Sequence, residues 1–326
     1  MKKYLKDLEK ELRKLKMSDS EIKEILADHS EMIETALEEG LDESDLPSKF
    51  GEPESIAKEL HKDNLVVSLE NSSIDEIDKS ELIEGYELFE SFNYVDPSYK
   101  IRIKLISADI VCKIHDRETI DVYITRNKEK YECYYKNGEF VLKRKKKIAL
   151  FEFSKGSDFV VFLPSSSAIE DFDFAATSGD ADISGISTIE AKISTVSGDA
   201  ELSKFNAKNA LFTTVSGDLE LQDIKLDEVK FNSVSGDVEI KNMEVNGDMV
   251  LKTVSGDYEL FNVVAENTSI RTISGDCEGH EVYTKTISLS SISGDIEIKN
   301  SDLTRLPTVL KKKTVSGDID VNGVKL

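Results

Sequence analysis

The chain has 326 residues, and its 64 acidic and 42 basic residues give a formal net charge of -22. Nucleic-acid binding needs clustered cations that neutralise phosphates, so this charge balance excludes DNA and RNA as partners. The same charge repels anionic lipid headgroups unless basic residues are concentrated in one place.

The cysteines and the N-terminus indicate a compartment. Cys112, Cys133 and Cys277 are odd in number and widely separated, which does not form a disulfide framework and favours a reducing environment. Residues 1–9 lack the apolar core of a secretory signal, and no segment reaches the roughly 18 apolar residues of a membrane helix. We therefore expect a cytoplasmic protein without an integral membrane segment.

Residues 1–62 have a helical pattern. Apolar residues recur every three or four positions from Leu5 to Leu15, and Ser18-Asp19-Ser20-Glu21 is typical of a capping box that begins a second helix. Gly40 is placed to end that helix, and Pro53 to begin a third. This pattern predicts a small helical domain whose charges are either a solvated face or a docking surface for an unknown protein partner.

A linker with the first strand or strands is expected over 63–100, and a β-rich N-terminal cap over 101–170. In the cap, apolar and polar residues alternate over 101–105, which predicts a strand. The dipeptide Asn137-Gly138 predicts a hairpin turn. The apolar run 159–163, which is followed by a proline, predicts a short buried strand.

The tripeptide Ser-Gly-Asp occurs eight times, mostly 19 or 20 residues apart, which is typical of a solenoid. Its serines are Ser178, Ser197, Ser216, Ser235, Ser255, Ser274, Ser293 and Ser316. We therefore predict a mainly β protein, in which residues 171–326 form a single-chain parallel β-solenoid of about eight coils. The handedness of the coil and the oligomeric state are left open.

Apolar columns accompany the tripeptide. With its serine as position 0, apolar residues recur at −4, −1, +3, +5 and +8, and we expect them to stack in register inside the coil. A spacing of two indicates a strand, whereas the spacings of three after −4 and after +5 indicate bends. The last coil differs, because Lys311-Lys312-Lys313 covers position −4 and residues 303–307 are inserted, as expected of an end that resists edge-to-edge pairing.

Glycine at +1 is expected at the corners, where it permits positive φ and close approach between coils. These corner glycines are Gly179, Gly198, Gly217, Gly236, Gly256, Gly275, Gly294 and Gly317.

Aspartate at +2 is expected to accept hydrogen bonds from amides of its own turn. A second acidic column follows at +4, and like charges 4–5 Å apart repel by about 1 kcal/mol in water. Backbone amides, lysines or cations must therefore compensate the columns. Capping of the turn is the favoured role, and calcium is the alternative, with no other cofactor expected. The candidate calcium column is Asp199, Asp218, Asp237, Asp257, Asp276 and Asp295.

The motifs TVSGD, SVSGD and TISGD resemble the bacterial "putative adhesin" domain-of-unknown-function family over residues 90–326. This resemblance implies a β-solenoid and an association with cell-envelope stress. Residues 1–62 resemble the HAAS-type helical domain, with Glu38-Glu39-Gly40 and Phe50-Gly51-Glu52-Pro53 as matching segments. That resemblance implies a signalling role. Neither family implies a catalytic residue.

No enzyme is predicted. The four histidines are scattered, and the serines of the repeat have no histidine partner. Carboxylate pairs such as Asp199 and Glu201 recur equally in every coil, whereas an active site should break the repeat at one place. The pair Cys112 and His115 is interpreted as a packing or surface feature of a strand. The basic run 143–147 is interpreted as a solvated strand end or a partner for the acidic face of the solenoid, and contact with anionic lipid or a protein is the alternative. Three hypotheses follow: a non-catalytic scaffold in envelope-stress signalling, a surface adhesin or carbohydrate-binding module, and a cation-binding solenoid.

Overall fold

A computed structural model describes residues 2–14, 85–93, 95–145 and 157–325, together with five single helical residues, Ile22, Leu26, Ile33, Leu46 and Pro53. The chain divides into two compact units, residues 1–84 and 85–326, which are described separately.

The N-terminal unit contains the helix α1 (Lys2–Lys14). Its apolar stripe is buried, with Leu8 and Leu12 fully enclosed, and Tyr4 packs in a cluster with Ile33 and Leu46. The predicted first helix is therefore confirmed. The capping box at 18–21, the helix end at Gly40 and most of the linker lie outside the described residues. No helix within the described part of the chain has the length and apolar character to cross a bilayer.

The C-terminal unit is built from strands. Their bounds are β1 (Glu87–Phe92), β2 (Ser98–Lys104), β3 (Ile110–His115), β4 (Ile120–Ile124), β5 (Tyr131–Lys136), β6 (Glu139–Arg144), β7 (Phe159–Pro164), β8 (Ala168–Ala175), β9 (Ala181–Ser184), β10 (Ser187–Ser194), β11 (Ala200–Ser203), β12 (Asn206–Thr214), β13 (Leu219–Ser233), β14 (Val238–Thr253), β15 (Tyr258–Arg271), β16 (Cys277–Ser290), β17 (Ile296–Lys299), β18 (Thr308–Lys313), β19 (Ile319–Val321) and β20 (Val324–Lys325). Short 3-10 helices occur at Lys128–Lys130 and Leu303–Arg305.

Parallel pairing between equivalent residues of successive coils confirms the predicted β-solenoid. Strand β10 pairs in parallel with β8 and β12, and β13 pairs in parallel with β12 and β14. The register follows the repeat, because Leu219 lies opposite Val238 and Val238 lies opposite Tyr258. Each position of the repeat therefore forms a column along the stack, about 4.8 Å per coil.

The stack begins before the first Ser-Gly-Asp. Strands β2 and β3 pair in parallel with β8 and β9 on one side and with β6 and β7 on the other. Between β2 and β3, Ile106-Ser107-Ala108-Asp109 forms an additional corner with alanine in the glycine position. The alternating segment at 101–105 thus lies mainly in the parallel stack.

Antiparallel strands lie at the N-terminal end of this stack. Strand β5 pairs with β6 through the predicted Asn137-Gly138 turn, in which both residues have positive φ. Strand β4 pairs with β7 and β1. The run predicted to be buried forms β7, in which every residue is buried. Of these strands, β6 and β7 also pair in parallel with β2 and β3, whereas the pairings of β1, β4 and β5 are antiparallel.

Three bends divide a typical coil. Residues at +3, +5, +8 and −4 are buried, and two further inward columns contain Ala207 and Ala210. The bend after +5 uses a left-handed residue, such as Lys204 or Asn242. Inside the coil, the rings of Phe212 and Phe231 stack with centroids 4.9 Å apart. The predicted bend after +5 is confirmed, and the bend between the inward columns was not predicted.

Candidate functional site

The eight glycines of the repeat stack directly on one another. A Cβ atom built on any of them would lie 1.9–2.1 Å from a backbone carbonyl oxygen of the preceding corner, much closer than atoms can approach. None of them has positive φ, because the glycines in that region are Gly85, Gly138, Gly185 and Gly323. The expectation of positive φ at +1 is therefore wrong. Contact between coils, and not backbone conformation, requires glycine there.

A column of hydroxyl groups lies inside the corners, and the sequence reasoning missed it. Position −2 is Thr or Ser in seven successive corners. In six of them its side chain donates to the carbonyl of the glycine three residues later, whereas the first member, Thr195, donates to the Thr214 hydroxyl. Thr253 donates to the Gly256 oxygen at 2.8 Å, and Thr214 makes the equivalent bond to Gly217. The column comprises Thr195, Thr214, Ser233, Thr253, Thr272, Ser291 and Thr314. Thr or Ser at this position in seven of the eight repeats was the available signal.

The aspartates at +2 link neighbouring coils. Oδ1 of Asp199 accepts from the backbone amide of Asp218 at 2.8 Å, and the same bond recurs from Asp109 through Asp295 at 2.7–3.1 Å. The expectation that these carboxylates bond within their own turn is therefore corrected. At each corner the amide of the aspartate faces the previous coil, and the carboxylate of that coil accepts its hydrogen bond.

The apolar column at −1 lies on the outside, where the sequence had placed it inside. Val196, Val215, Val234, Val254, Ile273 and Ile292 are each 38–49% exposed. We call these six residues the aliphatic ladder. At this corner the side chain at −2 and the glycine at +1 face the inside of the coil. The residue at −1 and the serine at 0, which lie between them, therefore point to solvent. The backbone carbonyl of each ladder residue accepts a hydrogen bond from the serine amide of the next coil. For example, the Ser216 amide donates to the Val196 carbonyl at 2.8 Å.

Acidic residues flank the ladder on one side. The column at +4 includes Glu239, Glu278 and Glu297, and some members are paired. Lys241 contacts Glu239 at 2.6 Å, and this hydrogen bond raises the pKa of Lys241. Lys299 contacts Glu297 at 2.8 Å. The corner therefore presents an aliphatic ladder, a row of serines and two acidic columns in parallel.

The remaining candidate groups are structural. Burial raises the pKa of the thiols of Cys112 and Cys277, to about 12 for Cys277, which keeps them protonated. All three cysteines are free. His115 bonds to the Thr119 carbonyl at 2.7 Å and stacks on Phe162. In the basic run, Lys143 contacts Glu132 at 3.1 Å, and residues 146 and 147 lie outside the described part. Among described residues, no group of three or more His, Cys, Asp or Glu side chains is arranged to hold a metal ion.

Comparison with known families gives two matches. The family described as Toastrack DUF4097 matches residues 99–258 and 247–326, and the HAAS family matches residues 3–59. No curated protein matches the chain.

Three solved structures share the fold. A "putative lipid binding protein" from Parabacteroides distasonis ATCC 8503 is 18% identical, with a TM-score of 0.51, over 74% of this chain and 97% of that one. A "putative adhesin" from Parabacteroides merdae ATCC 43184 is 15% identical, with a TM-score of 0.52, over 72% and 95%. A "putative adhesin" from Parabacteroides distasonis ATCC 8503 is 14% identical, with a TM-score of 0.52, over 72% and 96%. At these identities the likeness concerns the fold alone.

Proposed function

Because the chain belongs to the Toastrack DUF4097 family, we propose that it is a non-catalytic interaction protein whose solenoid presents a rigid surface to a protein partner. The N-terminal unit, which matches the HAAS family, is a second docking element in this proposal. Cytoplasmic location and a role in envelope-stress signalling are parts of the same proposal.

The observation that carries the proposal is the aliphatic ladder. Six successive coils place a β-branched aliphatic residue in water with about two-fifths of its surface exposed. At about 4.8 Å per coil, the ladder is roughly 24 Å long. A continuous apolar strip with polar and charged columns beside it is typical of a protein-interaction surface. A rigid parallel stack also loses little conformational freedom when a partner binds.

The repetition of the corner supports a binding role over a catalytic one. Its serine, aspartate and glutamate columns recur with the same backbone bonds in successive coils, as with Asp199, Asp218 and Asp237. A catalytic centre requires one place where several different groups converge with distinct protonation states. The corner instead offers many equivalent contacts, which suits an extended partner.

The test replaces the apolar side chains of the ladder with polar ones that keep the same preference for extended backbone. In the full-length chain, Val215, Val234 and Val254 are changed together to Thr, which keeps β-branching. The matched control changes Ile189 and Val264 to Thr, because these residues are 45% and 37% exposed elsewhere on the solenoid. Cross-linking in the native host followed by affinity capture should yield protein adducts for wild type and control, and few for the ladder variant.

Two outcomes would contradict the proposal. Equal adducts from the ladder variant and the control would remove the ladder from the interaction. Cell fractionation that finds the protein only on the outer surface would reject the cytoplasmic signalling reading and favour an adhesin or carbohydrate-binding module instead.

A further inference from the structure

The last coil of the solenoid contains several highly exposed aliphatic side chains. We call residues 301–325 the C-terminal tip. Five aliphatic residues of this tip are 56–71% exposed, more than any member of the aliphatic ladder. They are Leu303, Leu306, Leu310, Val315 and Val324.

The tip forms one layer of the stack. Strand β18 pairs with β16, and every one of its residues is exposed. Strand β19 pairs with β17, and β20 folds back beside β19. One coil of a solenoid is nearly perpendicular to the stack axis, so β18 and β19 belong to the last layer, and β20 lies beyond β19 at the same end of the stack.

The tip is also cationic in an otherwise acidic chain. The tip carries five basic side chains and three carboxylates, a net charge of +2, whereas the whole chain carries -22. All three carboxylates, Asp302, Asp318 and Asp320, lie outside the segment 303–317, and Asp318 is paired with Lys325 at 2.7 Å. Lys312 lies opposite Leu289 in the register, at a position that is apolar in earlier coils. Arg305 lies over the ring of Tyr283, 4.1 Å from its centroid. Acidic residues more than two coils away from the tip are farther from it than the Debye length, which is about 10 Å at 0.1 M salt. Salt therefore screens their repulsion of an anionic surface that touches the tip.

These features select the occupant. A second copy docked tip to tip would bring Lys311, Lys312 and Lys313 near the same lysines of its partner, and lysines on an edge strand oppose strand pairing. Exposed leucines beside exposed lysines are instead complementary to an anionic bilayer. The apolar side chains can enter the headgroup boundary while the lysines contact lipid phosphates. We propose that the C-terminal tip binds end-on to the surface of an anionic lipid bilayer.

The test uses the full-length chain and extruded vesicles. Vesicles of phosphatidylcholine with about one-third phosphatidylglycerol are compared with phosphatidylcholine alone, by co-sedimentation at low and high salt. Wild type should bind the anionic vesicles at low salt and dissociate at high salt. Changing Lys311, Lys312 and Lys313 to Gln should weaken partitioning by on the order of 100-fold, since each surface lysine contributes roughly fivefold.

A second variant tests the apolar part, and a control tests specificity. Changing Leu303, Leu306 and Leu310 to Ser should weaken binding at least tenfold without lowering the melting temperature, because these side chains are exposed. The control changes Lys192, Lys230 and Lys252 to Gln. These are three exposed lysines on the side of the stack, and their loss should leave binding unchanged.

The proposal fails if wild type does not bind anionic vesicles, or if both tip variants bind as wild type does. It also fails if the tip variants lose only a cross-linked acidic protein in the native host, which would make the tip a protein-docking surface. None of these results bears on the aliphatic ladder, whose partner is tested separately.

Discussion

The backbone amide of Asp237 donates a hydrogen bond of 2.8 Å to Oδ1 of Asp218, nineteen residues earlier. Each aspartate is therefore both an acceptor for the coil after it and a donor, through its amide, to the coil before it. The positive end of a backbone N–H dipole lies at each carboxylate and offsets the repulsion between neighbouring aspartates in the column. The hydrogen bond also makes the side-chain column part of the force that holds coils in register.

The first prediction separates amide capping from cation binding. Asp218→Asn keeps an acceptor oxygen and removes a charge, so its melting temperature should equal or exceed that of wild type. Asp218→Ala leaves the Asp237 amide without its partner and should cost about 1 kcal/mol. Thermal unfolding with millimolar calcium and with chelator completes the measurement. A wild-type melting temperature that rises with calcium, together with an Asn variant as unstable as Ala, would favour the cation-binding solenoid.

The second prediction concerns the glycine column. In Gly217→Ala the new Cβ would lie 2.0 Å from the Gly198 carbonyl oxygen, so coils must separate at that corner. We expect a loss of about 3 kcal/mol in the free energy of unfolding, measured by urea denaturation. The neighbouring exposed residue provides the control, since Ser216→Ala should change stability by less than about 0.5 kcal/mol. Equal stability of Gly217→Ala and wild type would show that the corner does not need close approach.

The third prediction tests the hydroxyl column. Thr253→Val keeps the shape of the side chain but leaves the Gly256 carbonyl without its buried donor, which should cost about 1–2 kcal/mol. Thr253→Ser retains the hydroxyl, as Ser233 and Ser291 do in the same column, and should be closer to wild type. Chemical denaturation of the three proteins checks the order. A Val variant at least as stable as the Ser variant would mean that packing, and not the hydrogen bond, determines position −2.

The fourth prediction is a pH dependence at His115. Burial lowers the pKa of this imidazole, opposed by the Thr119 carbonyl, Asp121 and Asp116 and reinforced by Arg117. A histidine with a lowered folded-state pKa stabilises the fold fully above the unfolded value of about 6.5, and this contribution is lost as pH falls through the folded pKa. Melting temperatures of wild type should therefore fall more steeply with acidification than those of His115→Gln, which retains a donor for Thr119. Parallel curves for the two proteins would exclude this role.

The repeat by itself predicts much of the fold. Eight tripeptides in near-constant spacing required equivalent corners, and the columns at +3 and +5 required strands with alternate residues inside. Both features are present, with Leu202 and Leu221 in one buried column. The hairpin at Asn137-Gly138 was equally accessible, because its turn chemistry is local.

The column at −1 shows where pattern reasoning failed. Val215 and Val234 have the same residue type as buried strand positions, and periodicity alone cannot tell an inward valine from an outward one at a bend. The direction depends on the neighbouring hydroxyl at −2, which turns inward to bind the glycine carbonyl. That bond joins residues three apart across a corner, so it is visible only in the folded backbone.

Sequence by itself determined the solenoid, its coil length and the identity of its corner residues, because self-similarity fixes which positions must be equivalent. Tertiary structure alone decided that β6 and β7 lie outside β2 and β3, that Ile106–Asp109 forms an additional corner, and that the aliphatic ladder faces water. Equivalent positions can be recognised by comparing the repeats of one sequence with each other. Stacking order and side-chain direction depend on which backbone donors and acceptors meet in space, and distant residues such as Ser178 and Ile106 supply them together.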